Sequence, residues 1–185
     1  MGESIVGHYL VVDLEATCDN QRRVPKSEME TIEIGAVMVE AVSLETVAEW
    51  ESFICPVRHP KLLPFCTELT TITQAQVDAA PGFVDAFGKF TGWMREFEDV
   101  IWCSWGDYDQ NQLRQDCRHH RFDYSMPDHL NVKTMFSEEM GLKKTKGLAR
   151  ALRIVELELL GTHHRGIDDA RNIARLLPWA FGRKS

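Results

Sequence analysis

Near its start, the chain carries a short apolar run that ends in two closely spaced carboxylates. Residues 9–14 read YLVVDL, a β-rich run typical of a central strand, and Asp13 and Glu15 stand at its end. Side chains two positions apart on a strand point to the same face, so these carboxylates would project together. Such a pair on a buried strand is costly unless a cation lies between them. The alternative is a strand that has simply reached solvent.

The rest of the chain alternates between strand and helix patterns. Further strands are predicted over 31–42, 46–55 and 100–105. Helices are predicted from a capping box at 73–76, from an apolar period over 83–97, and over 109–119, 147–154 and 167–177, whereas 131–136 fits either state. Residues 56–64 lie between two prolines and are predicted to break regular structure. The pattern predicts an α/β domain with a mixed sheet and helices on its faces.

Composition and charge narrow the class of protein. The 185 residues are 44% hydrophobic and 26% charged, which is typical of one globular domain spanning 1–185. The net charge of −7 argues against a protein that coats duplex DNA by bulk electrostatics. No apolar run approaches about 20 residues, and the first residues lack the basic segment of a signal peptide. Five cysteines without a CxxC spacing argue against disulfides, so we expect a cytoplasmic protein.

Two further acidic motifs follow the boundaries of predicted elements. Asp107 and Asp109 come after the fourth predicted strand; Asp107 suits a helix N-cap, whereas Asp109 could direct its carboxylate towards the strand ends. Asp168 and Asp169 fall in the first turn of the last helix, where the helix dipole favours acidic residues. His164 precedes Asp169 by five residues, and a histidine beside a metal-binding carboxylate is a candidate general base. The alternative for the last motif is capping alone.

Taken together, the acidic motifs predict a site for hard cations. Asp13, Glu15, Asp109 and Asp169 come from three separate segments, and His164 accompanies them. Mg²⁺ and Mn²⁺ prefer oxygen ligands and keep several waters, which leaves room for phosphate oxygens. Such a site supports two-metal phosphoryl transfer, in which cations about 3.5–4 Å apart flank the scissile phosphate.

Three segments also carry a family resemblance. VVDLEATC, SWGDYDQNQL and HHRGIDDARNIARL resemble the three motifs of the DEDDh superfamily of 3′–5′ exonucleases, in the same order, and the match spans about 8–180. FCTELTTIT, at 65–73, is similar to the family of the histone-mRNA 3′ exonuclease and the RNA-interference-regulating exoribonucleases, and to bacterial KapD-like relatives. The resemblance implies an RNase H-like, mixed five-stranded sheet flanked by helices. It also implies hydrolysis from a free 3′ end that releases nucleoside 5′-monophosphates.

The resemblance assigns roles by position. Asp13, Glu15 and Asp169 resemble the ligands of one metal ion, Asp13 also bridges to a second, and Asp109 supports that second ion. The implied cofactors are two Mg²⁺ ions, with Mn²⁺ able to replace them. His164 resembles the general base, because it has the five-residue spacing to Asp169 found in the h-type class. His163 and Asp168 receive no role.

Substrate contacts follow from the same resemblance. Ala16 and Thr17 occupy positions that meet the terminal sugar, and Phe65 and Tyr108 resemble base-stacking residues. The expected partners are 3′ ends of single-stranded RNA or DNA and the nucleoside monophosphate product, with no membrane and no indicated protein partner. RNA is the leading expectation. The alternatives are a DNA 3′–5′ exonuclease and a non-enzymatic regulatory module on the same fold.

A small basic cluster lies outside these motifs. It comprises Lys143, Lys144, Lys146, Arg150 and Arg153. The cluster could follow a phosphate backbone, or it could be an ordinary solvated face.

Overall fold

One mixed sheet of five strands organises the computed structural model, which describes residues 6–184. The strands are β1 (His8–Ala16), β2 (Thr31–Glu40), β3 (Thr46–Phe53), β4 (Val100–Ser104) and β5 (His129–Asn131). Their order across the sheet is β3-β2-β1-β4-β5. β2 pairs antiparallel with both β1 and β3, whereas β4 pairs parallel with β1 and β5. The predicted mixed five-stranded sheet is confirmed.

Helices cover both faces of this sheet. They are α1 (Pro64–Thr70), α2 (Gln74–Asp78), α3 (Phe83–Met94), α4 (Tyr108–His120), α5 (Val132–Glu139), α6 (Leu148–Ile154) and α7 (Gly166–Ala180). One face packs Val11 and Val37 of the central strands under α5, α6 and α7. The other face packs Leu10 and Trp102 under α3 and α4. Among residues 6–184, no helix combines the length and the apolar character that crossing a bilayer requires.

Three local features differ from the sequence prediction or decide what it left open. Helix α1 was not predicted, because its first residue, Pro64, closes a proline-rich stretch; proline is well tolerated in the first turn of a helix. Residues 131–136 contain both predicted states, since β5 ends at Asn131 and the Asn131 side chain caps α5. Asp107 occupies the N-cap position of α4, but its carboxylate accepts a hydrogen bond from Asn131 Nδ2 at 2.9 Å instead of capping the helix.

A close backbone contact joins β2 to the start of α7. A Cβ atom at Gly35 would collide with the backbone of Gly166 and Ile167. A Cβ atom at Gly166 would lie 2.9 Å from the carbonyl oxygen of Asp13 and 3.0 Å from the amide nitrogen of Gly35. Only glycine allows both approaches. The contact therefore brings the first turn of α7 directly against the end of β1.

Replacing Gly35 with alanine should destabilise the protein by about 1–3 kcal/mol or more, because the added methyl group forces α7 away from the sheet. The matched control is Gly92→Ala in α3, where nothing lies within 4 Å of the added Cβ. The control should stabilise the protein by about 0.5–1 kcal/mol, since alanine favours a helix more than glycine does. Urea unfolding measures both free energies. Equal stabilities of the two variants would contradict the close contact.

Candidate metal centre and active-site cleft

The end of β1 supplies two of the predicted acidic side chains. Asp13 and Glu15 point to the sheet face that α7 covers, and their partners across β2 are Gly35 and Glu33. Asp169, in the first turn of α7, lies against them and is buried. Carboxylate oxygens of Asp13, Glu15 and Asp169 lie within 4.8 Å of one another. The structure thus brings together three carboxylates from two distant segments.

The fourth predicted acidic residue is held against the backbone of β1. Asp109 lies in the first turn of α4 and is almost fully buried. Its Oδ1 accepts a hydrogen bond of 3.1 Å from the backbone N–H of Leu14, the residue between Asp13 and Glu15. Among neighbouring charges, Asp109 has the largest effect on the pKa of Asp13. Asp109 therefore completes an acidic cluster at the end of β1.

Burial and mutual repulsion shift the titration of this cluster. Burial, followed by the charges of Asp109 and Glu15, raises the pKa of Asp13 well above its usual range. Burial raises the pKa of Glu15 to about 9, with further contributions from nearby carboxylates. Burial also raises the pKa of Asp109 to about 6, although the hydrogen bond from Leu14 opposes this rise. Burial and neighbouring carboxylates therefore act together on this cluster, and a bound divalent cation would offset both.

The donor set fits hard divalent cations. Asp13, Glu15 and Asp169 offer only carboxylate oxygens, the ligands that Mg²⁺ and Mn²⁺ prefer. The five cysteines are free and none belongs to this group. The acidic cluster can therefore hold divalent metal ions.

Glu33, another buried acidic residue, has a different role. Its Oε1 accepts a hydrogen bond of 3.0 Å from Arg165 Nη2, and its Oε2 accepts one of 2.9 Å from the Gly166 N–H. Arg165 also reaches Glu51 at 3.0 Å. This network ties the loop before α7 to β2 and β3. Sequence analysis missed Glu33, although an acidic residue inside a strongly apolar strand was an available signal.

Two neighbouring histidines face the acidic cluster in different ways. The ring of His163 places Nδ1 2.9 Å from Asp169 Oδ2. His164 instead donates its backbone N–H to the same oxygen at 2.9 Å, from a left-handed conformation with φ of 65°. The two rings stack with centroids 4.0 Å apart, and both line the cleft. The ring that contacts Asp169 is thus that of His163, which the sequence analysis left without a role.

Asp168, the other residue without a predicted role, stabilises the loop that carries the histidines. Its Oδ2 accepts a hydrogen bond of 2.8 Å from the Thr162 N–H, and its Oδ1 pairs with Arg171 at 3.0 Å. Its carboxylate therefore points away from the acidic cluster and holds the loop to the first turn of α7.

The acidic cluster forms part of the wall of an open cleft of about 450 Å³. Of the predicted substrate-binding residues, Ala16 and Tyr108 line this cleft, and about half of the Tyr108 surface is exposed. Thr17 is buried beside the cleft, and its hydroxyl accepts a hydrogen bond from the Glu30 N–H. Phe65 lines a separate depression that adjoins the cleft at Leu69. Cleft residues that sequence analysis did not identify include Lys26, Met29, Leu69, Trp105, Gly147 and Leu148.

The cleft and its acidic cluster agree with comparisons to known proteins. An exonuclease family model, RNase_T, matches residues 10–177. Mouse (Mus musculus) ERI1 exoribonuclease 3 is 32% identical over 181 residues, which cover 92% of this chain and 52% of the relative. The probable 3′-5′ exonuclease KapD of Bacillus subtilis (strain 168) is 28% identical over 168 residues, covering 90% and 81%. The chain thus spans about half the length of the exoribonuclease.

Comparison with solved structures also indicates an exonuclease. The nuclease domain of 3′hExo, a DEDDh family member bound to rAMP, superposes with a TM-score of 0.86 at 27% identity, covering 95% of this chain and 92% of that one. Its agreement in fold extends across the sheet and the helices that carry the acidic cluster. The chain therefore belongs to the RNase_T exonuclease family and, within it, to the DEDDh 3′–5′ exonucleases.

Proposed function

We propose that this protein is a 3′–5′ exoribonuclease that hydrolyses single-stranded RNA from its 3′ end and releases nucleoside 5′-monophosphates. The observation that carries the proposal is the convergence of Asp13, Glu15 and Asp169 within 4.8 Å in an open cleft of a DEDDh family member. RNA is favoured because relatives with 32% identity are exoribonucleases and the superposed 3′hExo domain holds rAMP. Residues 1–185 would act as one exonuclease domain, and five free cysteines support a cytoplasmic location.

Asp13, Glu15, Asp109 and Asp169 would hold two Mg²⁺ ions, which Mn²⁺ could replace. When bound, such a pair activates water for attack on the phosphate and stabilises the leaving oxygen. The chain contributes the fixed geometry: β1 orients Asp13 and Glu15, and the glycine contact holds Asp169 beside them. The hydrogen bond from Leu14 fixes Asp109. Little reorganisation is then needed when the cations bind.

His164 is our proposed general base. Burial and the neighbouring His163 lower its pKa below the usual histidine value, which favours the neutral ring at neutral pH. A neutral ring nitrogen can accept the proton of an attacking water. His163 would act differently, because its contact with Asp169 positions that carboxylate. The left-handed backbone at His164 lets both rings face the cleft.

The cleft wall supplies the proposed contacts to substrate. The half-exposed ring of Tyr108 can stack on a terminal base, an interaction worth about 1–3 kcal/mol that tolerates any sequence. The Ala16 backbone at the cleft wall would meet the terminal sugar, with Thr17 buried behind it, and Lys26 would offer a cation to a phosphate. Phe65 would stack on a further base that extends past Leu69 into the neighbouring depression.

Incubation of the protein with a 5′-labelled single-stranded RNA should give a ladder of progressively shorter products. Mg²⁺ or Mn²⁺ should support shortening, and EDTA should abolish it, because the acidic cluster needs cations to bind phosphate. A DNA strand of the same sequence tests the sugar preference. An unshortened strand with either ion would contradict exonuclease activity and favour a regulatory module. Faster shortening of the DNA strand than of the RNA strand would instead indicate a DNA exonuclease.

Replacing His164 with alanine should lower kcat by about 10²- to 10⁴-fold, because the attacking water loses its proton acceptor. Binding of Mn²⁺, measured by titration calorimetry, should change little. His119→Ala, which removes an exposed imidazole from the far end of α4, is the matched control and should retain kcat. A His164 variant with the turnover of this control would remove His164 from the mechanism.

The metal-free protein should lose stability as the pH rises from about 4.5 towards 9. The folded-state pKa of Glu15 is about 9, against a usual value of 4.5, so folding favours its protonated form. The resulting stabilisation is complete below pH 4.5 and disappears as the pH passes 9. Glu15→Gln remains uncharged, so in EDTA its Tm should exceed that of the wild type by about 5 °C at pH 9, with little difference at pH 5.

Adding Mg²⁺ at 100 times its Kd should raise the wild-type Tm by about 5–10 °C, because binding adds about 2.7 kcal/mol. The Glu15→Gln variant should gain much less. If the Tm values of the wild type and of Glu15→Gln changed in parallel with pH in EDTA, the charge of Glu15 would not destabilise the folded protein, which would contradict the prediction.

A further inference from the structure

A stretch free of acidic residues adjoins the cleft. Residues 140–155 read MGLKKTKGLARALRIV and carry five cations. The other 169 residues contain 16 basic and 28 acidic side chains, so this stretch opposes the charge of the whole chain. The five side chains, here termed the basic track, are Lys143, Lys144, Lys146, Arg150 and Arg153.

The cations of the basic track are available to bind a ligand. Lys146 is half-buried and the other four are exposed. Within residues 6–184, none of the five forms an ion pair with a carboxylate. Arginines elsewhere do form such pairs, as Arg165 does with Glu33 and Arg171 with Glu49. The basic track therefore does not serve to pair surface charges within the chain.

The basic track begins at the wall of the cleft. The Lys146 carbonyl accepts a hydrogen bond of 3.0 Å from Trp105 Nε1. Trp105 lines the same cleft as the acidic cluster, and so do Gly147 and Leu148, the two residues that follow Lys146. The backbone of Lys146 is thus held at the cleft rim by a half-buried indole contact.

The basic track continues away from the cleft along α6. Arg150 and Arg153 are three residues apart, so they lie on one face of the helix. Together with Ile154 they line a shallow surface depression. At a rise of 1.5 Å per residue, Arg153 lies about 7.5 Å along the helix from Leu148 at the cleft wall.

We propose that the basic track binds the phosphate backbone of the substrate strand on the 5′ side of the nucleotides in the cleft. This inference rests on the proposed exoribonuclease function, since a strand whose 3′ end enters the cleft must leave across the rim. Lysine and arginine cations that neutralise phosphates can bind a backbone of any sequence. A strand of a few nucleotides would not reach Arg150 and Arg153, whereas a longer strand would.

Binding of a 15-nucleotide single strand should therefore depend on these arginines in a salt-sensitive way. The slope of log K against log salt is about −0.7 per phosphate contact for single strands. Arg150→Ala/Arg153→Ala should make the slope shallower by about 1.4 and weaken binding about 3- to 10-fold in low salt. Binding of a trinucleotide should not change.

The experiment measures fluorescence anisotropy with Mg²⁺ in an Asp13→Asn background, so that strand cleavage does not interfere. The matched control is Lys89→Ala/Arg118→Ala, which removes two exposed cations from α3 and α4 on the opposite face of the sheet. Both double variants alter exposed side chains, and thermal unfolding verifies that each is folded. The basic-track variant should differ from the control in salt slope with the long strand only.

Equal slopes for the two double variants would overturn the proposal, as would an equal loss of trinucleotide binding. Unchanged strand binding with lost binding to phosphatidylserine vesicles would assign the surface to a membrane and also overturn it. Cleavage by the unmutated protein is assayed separately. If the basic-track variant shows the predicted difference in slope but the unmutated protein does not cut RNA, the result would support the basic track and refute the proposed function.

Discussion

The contact between Gly35 of β2 and the first turn of α7 is the constraint on which the candidate site depends. Because neither Gly35 nor Gly166 has a Cβ, the helix start approaches the sheet closely enough to meet the Asp13 carbonyl. Asp169, three residues into α7, then lies beside the carboxylates of β1. Arg165 strengthens the contact through its pair with Glu33. Packing at two glycines thus brings Asp13 and Asp169, which are 156 positions apart in the chain, into one acidic cluster.

Buried acidic residues within 6–184 differ in how their negative charge is compensated. Glu33 pairs with Arg165, and Glu30 accepts hydrogen bonds from the backbone N–H groups of residues 57–59. These carboxylates are satisfied within the protein. Asp13 and Glu15 have raised pKa values because burial and neighbouring carboxylates act on them together. Unbalanced charge of this kind is typical of a functional site, at which the fold gives up stability that a bound cation restores.

Much of the fold could be predicted because its signals are local. The apolar run at 9–14 and the phenylalanine period from 83 predicted β1 and α3, since one pattern repeats every two residues and the other every 3.6. The start of α1 could not be predicted, because Pro64 reads as a breaker unless its place in the first turn is known. The pairing of Glu33 with Arg165 joins residues 132 positions apart, and no local pattern encodes it.

In the candidate site, too, local sequence signals could be predicted and tertiary contacts could not. Motif spacing led to Asp13, Glu15, Asp109 and Asp169, and the structure places all four around the end of β1. Which of the two histidine rings contacts Asp169 depends on the left-handed backbone of His164, which the sequence HHRG does not reveal. The separation of Phe65 from the cleft depends on how α1 packs, a tertiary property that a motif cannot specify.

Anomalous diffraction from crystals soaked with Mn²⁺ and a nucleoside monophosphate would show whether these carboxylates share a pair of hard cations. We expect two Mn²⁺ peaks about 3.5–4 Å apart, bounded by Asp13, Glu15, Asp109 and Asp169, with the phosphate of the nucleotide between them. Mn²⁺ bound only elsewhere, for instance at the group of Glu30, His119 and His120, would contradict the account.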